Sequence, residues 1–317
     1  MILPEFKHIV EAHKRIRALI NKTPVLTCAS LNTITGNKLF FKCENFQKVG
    51  AFKFRGASNA VSLLSTEEKQ NGVATHSSGN HAQAIALAAK MNNISAYIVM
   101  PSNSPEVKKK AVAGYGAEIT FCEPTLEARE STLEDVITKT QATFIHPYDN
   151  TNVIAGQGTA AYELLREVDD LDYIIAPVGG GGLLSGTLLA AHGLSPHTNV
   201  IAAEPEGADD AFRSIQSGKI IPSVNPKTIC DGLLTSLSPL TFSIIQQHID
   251  RIVTVSDTTV IKAMRLIWER MKIIVEPSSA TVLAILLENK IDLKDKRIGL
   301  ILSGGNVDLS NLPWNKQ

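Results

Sequence analysis

The stretch GAFKFRG, residues 50 to 56, sets a lysine between two phenylalanines and follows it with Arg55 and Gly56. Flanking aromatics imply partial burial, and a buried ammonium is costly unless it loses its charge or finds a covalent partner. Lys53 is therefore either a surface lysine on an amphipathic strand or a reactive amine. A second chemical signal is PVGGGGLLSG, residues 177 to 186, with Gly179, Gly180, Gly181 and Gly182 between an apolar strand and a helical run. Glycines let the backbone turn tightly and bring N–H groups to an anion, and the following helix adds its positive end. This reads as a phosphate cradle, since a turn made for packing needs one or two glycines. It is neither a Walker loop nor a GxGxxG fingerprint.

Two further loops follow apolar strands. THSSGNHAQA (75–84) offers Ser77, Ser78, Asn80 and His81 at a helix start, a place that can hold a carboxylate. N-capping by one serine is the plain alternative. ILSGGNVDLS (301–310) puts Ser303 at a strand's carboxyl end. In AAEPEGADD (202–210), Glu204 ends a strand while Asp209 and Asp210 open the next helix. Those acids serve either as caps or as oxygen ligands for Mg²⁺ or Ca²⁺. VKKKAV (107–112) reads as a solvated helix face, and His8, His13, His192, His197 and His248 have no partner at metal-ligand spacing.

The elements that must position these groups alternate along the chain. KLFFKC (38–43), SAYIVM (95–100), AEITFC (117–122), ATFIH (142–146), DYIIAPV (172–178), NVIAAEP (199–205), RIVTV (251–255) and RIGLILS (297–303) read as strands, with a further strand near 73. Amphipathic segments at 80–91, 105–114, 126–140, 183–191 and 258–271 read as helices. The pattern predicts an α/β protein with two open, mainly parallel sheets flanked by helices. The expected division is a small domain at 67–149 inserted into a large domain built from 1–66 and 150–317. Ligands in such sheets bind beyond the carboxyl ends of strands, so the cleft between the domains is the expected site.

Composition excludes several function classes. Lys plus Arg equals Asp plus Glu at 31 each among 317 residues, which gives no polyanion-binding face and no expectation of nucleic acid. No run approaches the roughly 20 apolar residues of a membrane span, and the first 20 residues read as an amphipathic helix rather than a signal peptide. Four scattered cysteines without CxxC spacing suit reduced thiols, so a cytoplasmic location is expected.

A reactive lysine, a phosphate cradle and a carboxylate-binding helix start together suit pyridoxal 5′-phosphate, whose aldehyde condenses with a lysine. From about residue 20 to 310 the chain resembles the fold type II pyridoxal-phosphate enzymes, within their serine racemase and serine/threonine dehydratase group. The shared elements are FFKCENFQKVGAFKFRGA, THSSGNHAQA, AGQGT (155–159), APVGGGGLLSG, AAEPEGADD, WERMKIIVEP (268–277) and LSGGNVD. The resemblance implies that Lys53 carries the cofactor and later serves as base on one face of the substrate α-carbon. It places Phe52 beside the cofactor and Asn80 at its 3′-oxygen. Gly179, Gly180, Gly181, Gly182 and Leu183 hold its phosphate, and Ser303 faces its ring nitrogen. Ser77, Ser78, Asn80 and His81 surround the substrate carboxylate, with Arg129 approaching from the small domain.

A racemase needs an acid/base group on each face. The resemblance puts Ser78 opposite Lys53, where dehydratases of the group commonly carry alanine. The expected activity is therefore interconversion of L- and D-serine, with β-elimination to pyruvate and ammonia. The alternative is an L-serine or L-threonine dehydratase with little racemisation. Glu204, Asp210 and the Ala208 carbonyl are implied ligands of Mg²⁺, Ca²⁺ or Mn²⁺, and a homodimer is implied. HPYD (146–149) follows the dehydratase pattern rather than the HPN of mammalian racemases. ATP as an effector stays open. Ala29 and Val49 replace polar residues of its mammalian site, while Lys48, Gln83, Tyr115 and Lys272 remain.

Overall fold

Stretches such as IIAPV and IGLIL have no polar face to give to water, so they must run through the interior of a sheet covered on both sides. In the computed structural model, which describes residues 3–77, 79–104, 106–288 and 290–316, they do so. The described residues form ten strands: β1 (Val25–Leu26), β2 (Lys38–Cys43), β3 (Val73–His76), β4 (Ala96–Pro101), β5 (Glu118–Cys122), β6 (Thr143–Phe144), β7 (Tyr173–Pro177), β8 (Asn199–Pro205), β9 (Arg251–Val255) and β10 (Arg297–Leu302). They make a six-stranded sheet of order β1-β2-β10-β7-β8-β9 and a four-stranded sheet of order β5-β4-β3-β6. Only the β1–β2 pairing is antiparallel. β2 and β10 run side by side from Lys38 opposite Arg297 to Cys43 opposite Leu302. The two open, mainly parallel sheets expected from the alternation are present.

Helices cover both faces. Against one face of the larger sheet lie Thr151–Glu167 and Gly182–Leu194, whose Ile154, Leu164, Leu184 and Leu188 join one apolar cluster. Against the other lie Asp257–Met271 and Pro277–Leu287, with Met264, Ile267, Val282 and Ile285 in a second cluster. The AGQGT motif is accounted for by packing. A Cβ on Gly156 would sit 2.6 Å from Gly56 Cα, and one on Gly158 would sit 2.7 Å from Gly186 O. Both glycines let the Thr151–Glu167 helix cross its neighbours at backbone contact.

Two local expectations are corrected. The Lys53 segment is not a strand: the chain enters the helix Lys53–Ser62 there. Nor is VKKKAV wholly solvated, because Lys108 pairs with Asp231 across the seam between the sheets, while Lys109 bonds Glu106 and the Ser102 carbonyl. A charge run looks solvated when its distant partners are out of view.

Candidate active site

The loops singled out by sequence leave the carboxyl ends of strands, and contacts join all of them but AAEPEGADD where the two sheets meet. Val49 (φ 58°) and Gly50 (φ 68°) are consecutive left-handed residues that fold the chain back toward the end of β10. For a β-branched residue this is strained, by about 1–3 kcal/mol. Phe52 N donates to Ser303 O at 2.9 Å, Gly305 N donates to Gly50 O at 2.9 Å, and Ala51 bridges Gly304. Pinned in this way, the chain starts its helix at Lys53 with the amine toward the cleft. Lys53 Nζ donates to Pro147 O at 3.0 Å and lies 5.2 Å from the Phe52 ring. Burial pulls its pKa down to about 8, against the opposing pull of the Glu276 carboxylate. Roughly a tenth of the amine is therefore uncharged at pH 7, far more than for a lysine in water.

The glycine loop follows β7. A Cβ on Gly180 would lie 2.3 Å from Tyr148 Cδ1, and one on Gly182 2.9 Å from Tyr148 Cβ, so the loop closes tightly on the Pro147–Tyr148 segment. Gly179 meets the Leu233 backbone just as closely, at 2.9 Å. Packing thus demands these glycines as strongly as any ligand does. The anion signal comes instead from the N–H groups. Among the described residues, those of Gly179 through Leu183 have no acceptor in the chain although all five residues are buried. A buried cluster of orphan donors at the start of the Gly182–Leu194 helix is a nest for an anion.

The opposite wall is an amide and carboxylate network. Asn80, first residue of the helix Asn80–Met91, donates from Nδ2 to Glu276 Oε1 at 3.0 Å and Oε2 at 3.3 Å. Asn306 Nδ2 donates to Asn80 Oδ1 at 2.9 Å and to Val49 O at 2.7 Å, and Asn306 N donates to Glu276 Oε2 at 3.2 Å. Burial, with the charge of Asp231, raises Glu276 to about 7, while the bonds from Asn80 and Asn306 and the charge of Lys108 pull it back. A third wall is imidazole. His146 accepts the N–H of Asp149 at 2.8 Å on Nδ1 and stands 4.6 Å from the Tyr148 ring, edge on. His81 Nε2 lies 3.1 Å from Ile145 O, which makes Nε2 the donor and leaves Nδ1 bare and unpartnered. Burial holds His76, His81 and His146 below the usual imidazole range, His146 at about 4, so all three are neutral at pH 7.

A buried lysine with a lowered pKa, an anion nest and an anchored amide together invite comparison with known proteins. The chain matches the family described as pyridoxal-phosphate dependent enzyme over residues 16–304. It belongs to that family. A protein of Dictyostelium discoideum named serine racemase is 54% identical over 310 residues, covering 96% of each chain. A protein of Paracoccus denitrificans named beta-hydroxyaspartate dehydratase is 50% identical over 315 residues, covering 99% of this chain and all of that one. The crystal structure of the Dictyostelium serine racemase superposes with a TM-score of 0.91 at 52% identity, covering 96% of this chain and 99% of that one.

The residues present fit the cofactor of this pyridoxal-phosphate family. Lys53 offers an amine that burial makes easier to deprotonate, and the five orphan N–H groups offer a phosphate its donors. Asn80 retains one Nδ2 hydrogen, since the other is shared by the Glu276 oxygens. Phe52 and Ser303 adjoin Lys53 through the backbone bond between them. The Ser77 hydroxyl accepts Gly79 N at 3.2 Å, a local turn at the helix start. The His81 ring is committed to Ile145 O, which leaves its backbone N–H at the helix start as its means of meeting a carboxylate. Arg129 stands apart: its Nε bonds Thr125 O at 3.2 Å on its own helix, and it reaches the site only as a charge that lowers His76. Ser78 lies outside the described residues.

Away from the cleft, Glu204 accepts Ala211 N and Phe212 N at 2.8 Å each, so the capping role is filled. Asp210 Oδ2 is nevertheless buried without a partner. Burial pushes Glu204 up to about 8 and Asp210 to about 6. Two carboxylates whose charge burial disfavours, one with an orphan oxygen, fit a hard cation. Among the described residues no group of three or more His, Cys, Asp or Glu gathers as a metal site, so any cation there takes carbonyl or water oxygens as well.

Sequence reasoning gave no role to Glu276, Asn306, Asp231, Lys108 or Pro147. Glu276 and Asn306 stood inside quoted motifs, WERMKIIVEP and LSGGNVD, but their partners lie in other segments. Tyr148 was visible only as a departure in HPYD.

Proposed function

We propose that this enzyme interconverts L- and D-serine and, from the same bound substrate, eliminates the β-hydroxyl to give pyruvate and ammonia. The observation that carries the reading is the buried Lys53 amine, its pKa lowered to about 8, bonded to Pro147 O next to Tyr148, on which the glycine loop with its orphan N–H groups closes. The bound cofactor supplies the electron sink that acidifies the substrate's α-hydrogen. Lys53, uncharged, accepts that proton on one face, and its short link to the Pro147 carbonyl orients the lone pair. Ser78 serves the opposite face as the second acid/base. The first turn of the Asn80–Met91 helix, with Ser77, receives the substrate carboxylate, and the neutral histidine wall adds no charge to compete with it. Arg129 joins when residues 67–149, the small domain, close on the remainder. Ser303 faces the ring nitrogen.

Glu204, Asp210 and the Ala208 carbonyl hold Mg²⁺ or a similar cation, and the working unit is a cytoplasmic homodimer. Support for serine comes from the relatives named serine racemase at 45–54% identity. A second reading, elimination from a hydroxy amino acid with little racemisation, is favoured by Tyr148 in HPYD and by relatives named for hydroxyaspartate dehydration or ammonia release at 50% identity.

Product analysis from L-serine tests both, with and without Mg²⁺ and ATP. D-serine accumulating beside pyruvate is expected; pyruvate without D-serine selects the second reading. Ser78→Ala is expected to lose racemisation and keep much of the elimination. Equal loss of both activities would remove Ser78 from the second face.

A further inference from the structure

Asn80 can do two opposite things. With Nδ2 toward the cleft it donates a hydrogen bond; flipped, it offers only an acceptor. A flip exchanges atoms of nearly equal size, so only the hydrogen-bond partners decide between the two states. In this protein the decision runs back along a chain of forced choices. The Val49 carbonyl only accepts, so the Asn306 atom 2.7 Å from it is Nδ2. The second hydrogen of that Nδ2 points at Asn80, whose facing atom, 2.9 Å away, must therefore be Oδ1. Asn80 Nδ2 then falls against Glu276 Oε1 and Oε2, and Asn306 N holds the far side of that carboxylate at 3.2 Å. A flipped Asn80 would set an oxygen against a buried carboxylate and an NH₂ against an NH₂. Gly304 contributes by being small: a Cβ there would lie 2.7 Å from Glu276 Oε1.

The clamp also spans the two sheets. Asn80 opens a helix packed on the four-stranded sheet, whereas Glu276 and Asn306 come from the ends of elements of the six-stranded one. We propose that Glu276 and Asn306 are positioning residues that lock the Asn80 amide with its free N–H toward the cofactor's 3′-oxygen, so that docking of the two sheets and presentation of that donor are one event. The inference rests on the reading above that Asn80 meets the 3′-oxygen. A donor there favours the ionised oxygen; an acceptor favours the protonated one. The lock therefore sets the ratio of the holoenzyme's two absorption bands, one for each position of the proton shared between the 3′-oxygen and the imine.

The test compares band ratio and cofactor retention in holoenzyme carrying Glu276→Gln, Asn306→Ala, Asn80→Ala, and Asn80→Ala with Glu276→Gln. Folding is checked by thermal melting. Expected is a shift toward the protonated-oxygen band in all three single variants, largest in Asn80→Ala, where cofactor is held about 10-fold less tightly, and smaller in the other two, where half of the lock remains. The double variant should match Asn80→Ala alone, because the clamp acts only through that amide. A normal spectrum in Glu276→Gln and Asn306→Ala beside a shifted one in Asn80→Ala would overturn the clamp while keeping Asn80 at the oxygen. So would an additive shift in the double variant. An unchanged spectrum in Asn80→Ala would overturn the clamp by removing its target. Wild-type protein with no visible band at all would instead sink the cofactor reading. Should Glu276→Gln not fold, Asn306→Ala decides, since its side chain is only half-buried.

Discussion

Lys53 and Arg55 lie two residues apart on one helix, yet their charges are handled in opposite ways. Arg55 is fully buried and doubly bidentate. It bonds Glu44 at 2.7 and 2.8 Å and Glu163 at 2.9 and 2.7 Å. Lys42, also fully buried, joins Glu163 at 2.8 Å, and Thr23 donates to Glu44 at 2.6 Å. Two cations meet two carboxylates, nearly every donor has an acceptor, and the sum is neutral. Burial alone would raise the Glu163 carboxyl, but His13, Arg55 and Lys42 hold it well below the usual carboxylate range. Lys53 is given one carbonyl and a distant carboxylate, and its pKa falls to about 8 instead. Complete pairing makes a charge inert and structural; incomplete pairing leaves a group whose protonation is free to change.

Substitutions at the two positions should therefore fail in different ways. Lys53→Ala is expected to lower racemisation and elimination by at least ~10⁴-fold while the protein still melts cooperatively, because base and cofactor anchor go together. An activity loss under tenfold would remove Lys53 from the chemistry. Arg55→Met should act through folding: two carboxylates lose their main partner, at a cost of about 3–5 kcal/mol in urea unfolding. A cost below ~1 kcal/mol would mean that Lys42 and water can replace the guanidinium. Between these extremes, Gly180→Ala drives a methyl into the Tyr148 ring and should cost about 1–3 kcal/mol, read as weaker cofactor retention.

The contrast also has a pH signature. In the cofactor-free protein, Lys53 titrates near 8 against 10.5 for a free lysine. Between those values the unfolded chain binds more protons at this site than the folded one, so the Lys53 contribution to stability rises with pH across that window. Capture of an aldehyde by the cofactor-free protein should accordingly climb through about pH 8. A midpoint near 10.5 would place Lys53 in water. The smallest effect is expected at the solvent edge of the Arg55 cluster. His13 stands 3.6 Å from Glu163 with 21% of its side chain exposed, and His13→Gln should cost less than ~1 kcal/mol on unfolding.

Several of these features could be read along the chain, and the reasons are local. Apolar runs marked nine of the ten strands because interior strands are apolar on both faces and edge strands still bury part of their length; β1 has two residues and too little pattern to see. FKF looked like alternation because its aromatics flank a charge. The helix there is dictated by the left-handed pair Val49 and Gly50, a conformation that side-chain patterning does not announce. His13 read as a bland surface histidine because its partner Glu163 lies 150 residues on. Glu276 is separated from Asn80 by 196 residues. No spacing rule connects them.

The amino-acid sequence by itself determined the alternation of strands and helices, the lysine that could bear a cofactor, and the glycine run that can turn without side chains. Each of these follows from short-range sterics and hydrophobic periodicity. Only the tertiary structure decided that Lys53 gives up its proton easily, that Arg55 is not free to react, and which way the Asn80 amide faces. Burial and hydrogen-bond pairing are set by whatever segments the fold brings alongside, and in this protein those segments come from the two sheets that meet at the cleft.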